Sequence, residues 1–207
     1  MDIWSMIATE RRALADDLDD LTDAQWAAPS LCDDWRVRDV VAHVVFPFRV
    51  SLPSVMFKMV RHKFDFNAMS DAEARGDTRP PAELVATLRA NADHRFHPPG
   101  FGPEAPLTDV VIHGQDIRRP LGLAREFDPD ALGEVLDLLT SAKATRGFVA
   151  KGRVDGLTFA ATDLDRTWGS GPTVSGTGEA LALALAGRTV TLDELAGDGL
   201  DTLRARS

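Results

Sequence analysis

The chain has 207 residues, 44% hydrophobic and 27% charged, and its 23 basic and 32 acidic side chains give a formal charge of −9. A chain of this size and composition buries a substantial core and belongs to neither the disordered nor the collagen-like classes. The acidic balance speaks against a general nucleic-acid or anionic-membrane surface, no apolar run reaches the roughly 18 residues of a membrane helix, and a lone cysteine, Cys32, excludes a disulfide framework or a cysteine-based metal cluster.

The first elements read as helices. Asp2 can cap a helix whose apolar positions are Ile3, Ile7, Leu14, Leu18 and Leu21, a helical spacing. The opening Met1-Asp2-Ile3-Trp4 lacks a basic region, so no secretory signal is expected. Thr22 and Asp23 start a short helix through Trp26 that Pro29 stops, and Ser30 to Trp35 form a loop. From Arg36 to Phe48, Val37, Val40, Val41, Val44, Val45 and Phe48 share one face; Pro47 and Pro53 predict a kink or break near its end. Phe64 to Gly76 carries no decisive pattern.

Pro81 opens a helix running to about Arg95, which Pro98-Pro99-Gly100 terminates. Pro106 to Leu121 is another, closed by Gly122, and Asp128-Pro129 opens a third through Leu139. Four or five helices joined by loops suit an antiparallel bundle. The texture changes near Phe148. Leu157 to Thr162 reads as a strand, Arg166 to Trp168 as a second and Thr173 to Ser175 as a third, with turns at Asp163-Leu164-Asp165 and Gly169-Ser170-Gly171-Pro172. Glu179 to Ala186 is a small apolar helix, Leu192 to Arg206 ends the chain helically, and Trp168 is expected in the core. The fold class expected is α+β, mainly α: a four-helix bundle over residues 1–148 followed by a small α/β domain over 149–207.

Chemistry concentrates on two helices. On a wheel of 100° per residue, His43 lies about 130° from the centre of the valine face, on a thin stripe with Arg36 and Asp39. On Pro106–Leu121 the apolar face is Leu107, Val110, Ile117 and Leu121, and Asp109, His113 and Asp116 fall within about 60° of one another on the other side. Asp-x-x-x-His sets a carboxylate and an imidazole one turn apart, a spacing that lets both bind one ion and is equally that of a solvated polar face. His62 sits between Arg61 and Lys63 and reads as surface, His94 and His97 as loop residues, and Cys32 as a small buried hydrophobe. Gly176-Thr177-Gly178 either receives an anion at a helix start or allows close packing, the second being preferred. Arg118, Arg119 and Arg188 read either as carboxylate holders or as surface charges.

Leu31-Cys32-Asp33-Asp34-Trp35-Arg36-Val37-Arg38-Asp39-Val40-Val41-Ala42-His43 resembles a motif of the mycothiol-dependent maleylpyruvate isomerase-like proteins, within the wider DinB/YfiT-like group of bacterial-thiol S-transferases. Asp109-x-x-x-His113, then His113-Gly114-Gln115-Asp116-Ile117, and the tail from Phe159 through Trp168 and from Gly176 to Arg188, are similar to later segments of the same family. The resemblance implies a DinB-like four-helix bundle holding a divalent metal through His43, Asp109 and His113. Its middle ligand is Glu in the isomerase and His in DinB relatives; the shorter Asp here leaves Asp116 as an alternative third ligand. Two imidazoles and a carboxylate suit Zn²⁺, with Ni²⁺, Fe²⁺ or Mn²⁺ as further choices. The resemblance further implies mycothiol as cosubstrate and an isomerisation or S-transfer on a small electrophile. A non-catalytic metal-binding module and a metal-dependent hydrolase are the alternatives. The partners expected are a small-molecule thiol and an electrophilic substrate, with no nucleic acid and no membrane, for a cytoplasmic monomer or homodimer.

Overall fold

A computed structural model describes residues 1–32 and 34–207; Asp33, inside the loop motif, lies outside the described residues. The chain is α+β and mainly α, with one small sheet in its C-terminal region. No described helix is long and apolar enough to cross a membrane. By packing the chain divides into two compact units, one of residues 2–96 with 109–125, the other chiefly of 97–108 with 126–207. The boundary falls twice inside or beside one helix, whereas the change of texture near residue 148 is a property of the sequence.

The first unit opens with α1 (Ile3–Asp19), which Asp2 caps by accepting from the amides of Trp4 and Ser5 at 3.0 and 3.3 Å. Thr22 and Gln25 form a capping box on α2 (Asp23–Trp26). α3 (Val37–Val45) starts where the Asp39 carboxylate accepts from the Arg36 amide at 3.0 Å, and it buries Val37, Val40, Val41, Val44 and Val45. Pro47 converts its end into a 3-10 turn, Phe46–Phe48, as the sequence predicts. Two ten-residue helices follow, α4 (Leu52–Arg61) and α5 (Phe66–Arg75), capped by Ser51 and Asp65. Periodicity does not announce α5 because, of its ten residues, only Met69 and Ala74 are buried.

α6 (Pro81–Ala90) stops five residues before the expected end at Arg95. The reason is Arg11, whose buried guanidinium takes the carbonyls of Asn91, Ala92 and His94 at 3.4, 3.2 and 2.8 Å and so draws the chain out of the helix. α7 (Glu104–Leu121) ends as expected at Gly122, which adopts a left-handed φ of +68°. Side chains of α1, α3, α6 and α7 share one apolar core around Leu14, Leu18, Val41, Leu84, Val110 and Ile117, the four-helix arrangement the sequence implies.

The second unit contains α8 (Pro129–Leu139), a 3-10 segment at Ala142–Arg146, and the strands β1 (Thr158–Ala161), β2 (Arg166–Gly169) and β3 (Thr173–Gly176). The sheet order is β2-β1-β3, with β2 antiparallel and β3 parallel to β1, so that Phe159 pairs with both Trp168 and Val174. α9 (Gly178–Leu185) is buried along its length, as an Ala/Leu sequence without a polar face requires. The Gly-Thr-Gly segment serves close packing: a Cβ on Gly176 would lie 2.4 Å from the Leu195 side chain, and Asp163 accepts from the Gly178 amide at 2.7 Å.

Two expectations fail here. Leu192–Arg206 is not one helix but a 3-10 segment, Thr189–Glu194, an extended Leu195-Ala196 that bridges to Ser175, and the short α10 (Leu200–Arg204). Gly197, at φ +112°, turns the chain off the sheet edge against the Thr173 carbonyl, where helical geometry cannot continue. Trp168 is half-buried rather than core, its indole N–H donating to Asp137 at 2.6 Å with Arg166 stacked on the ring.

Candidate metal centre

His43 comes from the last turn of α3, and Asp109 and His113 from successive turns of α7, so three ligand-type side chains face one another across two helices. His43 Nε2 lies 3.4 Å and His113 Nε2 3.7 Å from the same oxygen, Asp109 Oδ1. One ligand atom from each of the three falls within 4.8 Å of the other two. Two nitrogen or oxygen ligands bound about 2.0–2.1 Å from a tetrahedral Zn²⁺ stand about 3.3–3.4 Å apart, so the spacing suits a shared ion. His43 is not the solvent-facing histidine that its thin polar stripe allows: its side chain is only 17% exposed, because α5 packs over this side of α3.

The far nitrogens of both rings are engaged. His43 Nδ1 lies 2.9 Å from Ser70 Oγ on α5. His113 Nδ1 lies 2.9 Å from Oδ2 of the fully buried Asp116. Such partners fix ring orientation and tautomer and turn each Nε2 toward Asp109. Trp35 covers the pair, its ring 5.2 Å from that of His43 and 6.3 Å from that of His113, and its own N–H donates to Asp71 at 2.9 Å.

Cys32 also belongs here. Its Sγ donates to Asp116 Oδ2 at 2.9 Å and approaches His113 Nδ1 at 3.6 Å, so it is a polar participant and not a buried hydrophobe. Cys32, His113 and Asp116 form a second set of ligand-type atoms within 4.8 Å. Its 2.9 Å separations are hydrogen-bond distances, shorter than the about 3.5 Å that a thiolate and a carboxylate oxygen keep on one tetrahedral zinc ion. The second set therefore reads as the support of the first.

The electrostatics follow from this packing. Burial disfavours a charged His113, but the hydrogen bonds to Asp116 and Cys32 and the charge of Asp109 outweigh it and push the imidazole up to about 10. Burial would raise the Asp109 carboxyl, yet the His43 hydrogen bond and the His113, His43 and Arg11 charges hold it below the ordinary carboxylate range. His62, His94 and His97 stand outside both sets among the described residues. Of the arginines left open by sequence, Arg118 is no surface charge: it is fully buried, and its Nε donates to Asp17 at 2.6 Å.

Sequence reasoning misses Ser70 and the roles of Trp35 and Cys32. The last two carried a signal, since both sit in the loop motif just before α3; Ser70 carried none, lying on a helix with no decisive pattern.

Residues 7–97 match the family model described as the mycothiol maleylpyruvate isomerase N-terminal domain. The matched stretch includes the loop motif, His43 and Ser70, and it ends before Asp109. Two solved structures resemble the whole chain. One is a crystal structure of a histidine-to-alanine mutant of mycothiol-dependent maleylpyruvate isomerase, with TM-score 0.62 at 14% identity. The other is a crystal structure of the mycothiol-dependent maleylpyruvate isomerase, with TM-score 0.56 at 15% identity. Each covers 95% of this chain and 91% of its own. At these identities the likeness is one of fold, and it extends across both compact units. No curated protein sequence matches the chain.

Proposed function

We propose that this protein is a metal-dependent enzyme that uses a low-molecular-weight thiol, mycothiol, to isomerise or S-conjugate a small electrophile. The observation that carries the reading is the convergence of His43 Nε2 and His113 Nε2 on Asp109 Oδ1 at ligand-like separations. The domain-family match over residues 7–97 supports the choice of thiol.

His43, Asp109 and His113 hold the ion, with Zn²⁺ the first choice for two imidazoles and a carboxylate and Ni²⁺, Fe²⁺ or Mn²⁺ the alternatives. Three protein donors are fewer than the four of a closed structural zinc site, which is the catalytic pattern. A divalent ion at this place supplies a Lewis acid that keeps a bound thiol ionised at neutral pH. The contacts of Ser70 and Asp116 at the two Nδ1 atoms leave both Nε2 atoms facing the ion, for which His113, charged in the metal-free protein, would give up its Nε2 proton. Trp35 shields the two rings from water on one side. The thiolate sulfur adds to one carbon of a double bond conjugated to a carbonyl; the π bond breaks and its electron pair moves onto the carbonyl as an enolate. For isomerisation, rotation about the resulting single bond and expulsion of the thiolate re-form the double bond; for S-transfer the enolate takes up a proton and the thiol stays attached.

The deciding experiment is a thiol titration of Co²⁺-loaded protein. Sulfur ligation adds a charge-transfer band in the near ultraviolet, expected at lower mycothiol concentration than with a simple thiol, because a pocket that also holds the sugar adds contacts. The band is expected to vanish in His43→Ala and His113→Ala. No band and no shift in melting temperature at millimolar mycothiol overturns thiol chemistry and leaves the hydrolase or the binding module.

A further inference from the structure

Asp116 Oδ2 is an unusual crossing point. The same oxygen lies 2.9 Å from His113 Nδ1 and 2.9 Å from Cys32 Sγ, and Asp116 is fully buried. A buried carboxylate needs donors on its lone pairs to remain charged. The thiol S–H, a donor with one proton to give, is aimed at it. The cysteine is itself held. Its amide donates to Ser30 Oγ at 3.1 Å, and Ser30 Oγ in turn donates to the Trp35 carbonyl at 2.9 Å. The neighbouring Leu31 amide donates to the Asp116 main-chain carbonyl at 3.0 Å. Loop and helix are therefore joined at Asp116 twice, once by backbone and once by side chain, across a sequence separation of 84 residues between Cys32 and Asp116.

We infer that Cys32 is a positioning residue: its thiol proton fixes the rotamer of Asp116, and Asp116 thereby fixes the ring of His113 with Nε2 toward Asp109. Cys32 touches neither ion nor substrate in this role and forms no covalent bond. The inference rests on the metal reading only for its consequence, tighter ion binding. The hydrogen-bond chain itself exists without an ion.

Two measurements separate the chain from its consequence. In metal-free protein, the His113 Nδ1 proton held by a buried carboxylate is expected as a slowly exchanging downfield resonance. Cys32→Ser, which keeps a hydroxyl donor, retains it; Cys32→Ala, which removes the donor, broadens it or speeds its exchange. Cys32→Val, close in volume and without a donor, gives the same result should the alanine variant fail to fold. An unchanged His113 resonance in the donor-less variants overturns the inference, whatever the protein does with metals. In Co²⁺-loaded protein, Cys32→Ala is expected to bind about tenfold more weakly with an altered ligand-field spectrum, and Cys32→Ser to bind within about threefold of wild type. Equal affinity and spectrum in Cys32→Ala also overturns it. A wild type that binds no Co²⁺ at all defeats the metal reading alone, and the proton resonance then decides about Cys32.

Discussion

His43 Nε2 and Asp109 Oδ1 stand 3.4 Å apart although 66 residues separate them in the chain. Each comes from a helix whose apolar face is spent on the bundle core, so the polar faces of α3 and α7 meet beside that core. Elemental analysis of purified protein tests what the meeting is for. His43→Ala and His113→Ala are each expected to lose most of the bound divalent metal, since each removes one of three ligands. His94→Ala and His97→Ala are expected to keep it. A double mutant of His43 and His113 that retains a full equivalent places the metal elsewhere.

Asp109 and Asp116 have different duties on the same helix. Asp109→Asn keeps the shape and loses the charge, so metal affinity falls; Asp109→Glu, longer by one methylene, retains it. Asp116→Asn disturbs only the orientation of His113, with a loss of about 10–100-fold in affinity. If Asp116→Ala proves more damaging than Asp109→Ala in a competition titration against a chelator, Asp116 is the ligand and Asp109 is not.

Ser70 gives the corresponding test on the other imidazole. Ser70→Ala removes the only hydroxyl at His43 Nδ1 among the described hydrogen bonds and frees the ring to turn. Metal affinity is expected to drop about tenfold with little change in melting temperature of the metal-free protein. An unchanged affinity means that packing alone orients His43.

The raised imidazole predicts a pH dependence. His113 titrates near 6.5 when unfolded and near 10 when folded. Its protonation therefore stabilises the metal-free fold fully below about pH 6.5, and that contribution is lost as pH rises through about 10. Melting temperature of metal-free protein is expected to decline across this window, and His113→Gln to flatten the decline. Asp109 acts in the opposite sense: its depressed carboxyl stabilises above the ordinary carboxylate range and loses that effect in acid. A flat profile for wild type between about pH 6.5 and pH 10 contradicts the charged His113.

What could be read from sequence was whatever repeats locally. The valine face of α3, the one-turn spacing of Asp109 and His113, the prolines that end helices and the alternation in β1 are all signals within a few residues. The Cys32–Asp116 contact spans 84 residues and has no local signature. The early end of α6 depends on Arg11, some eighty positions away, competing for its carbonyls. The tail departs from its helical pattern because Leu192, Leu195, Leu200 and Leu203 imitate helical spacing, while Gly197 and the bridge from Ala196 to Ser175 decide the path through contacts with β3. The candidate ligands were thus legible, and the residues that aim them largely were not.

Trp35 gives the site an optical reporter of its own. An indole 5.2 and 6.3 Å from two imidazoles is close enough for their protonation to quench its emission and for a paramagnetic ion such as Co²⁺ to quench it further. With Trp4, Trp26 and Trp168 each replaced by phenylalanine, occupancy of the centre becomes visible as the fluorescence of a single side chain, without a dye and without turnover.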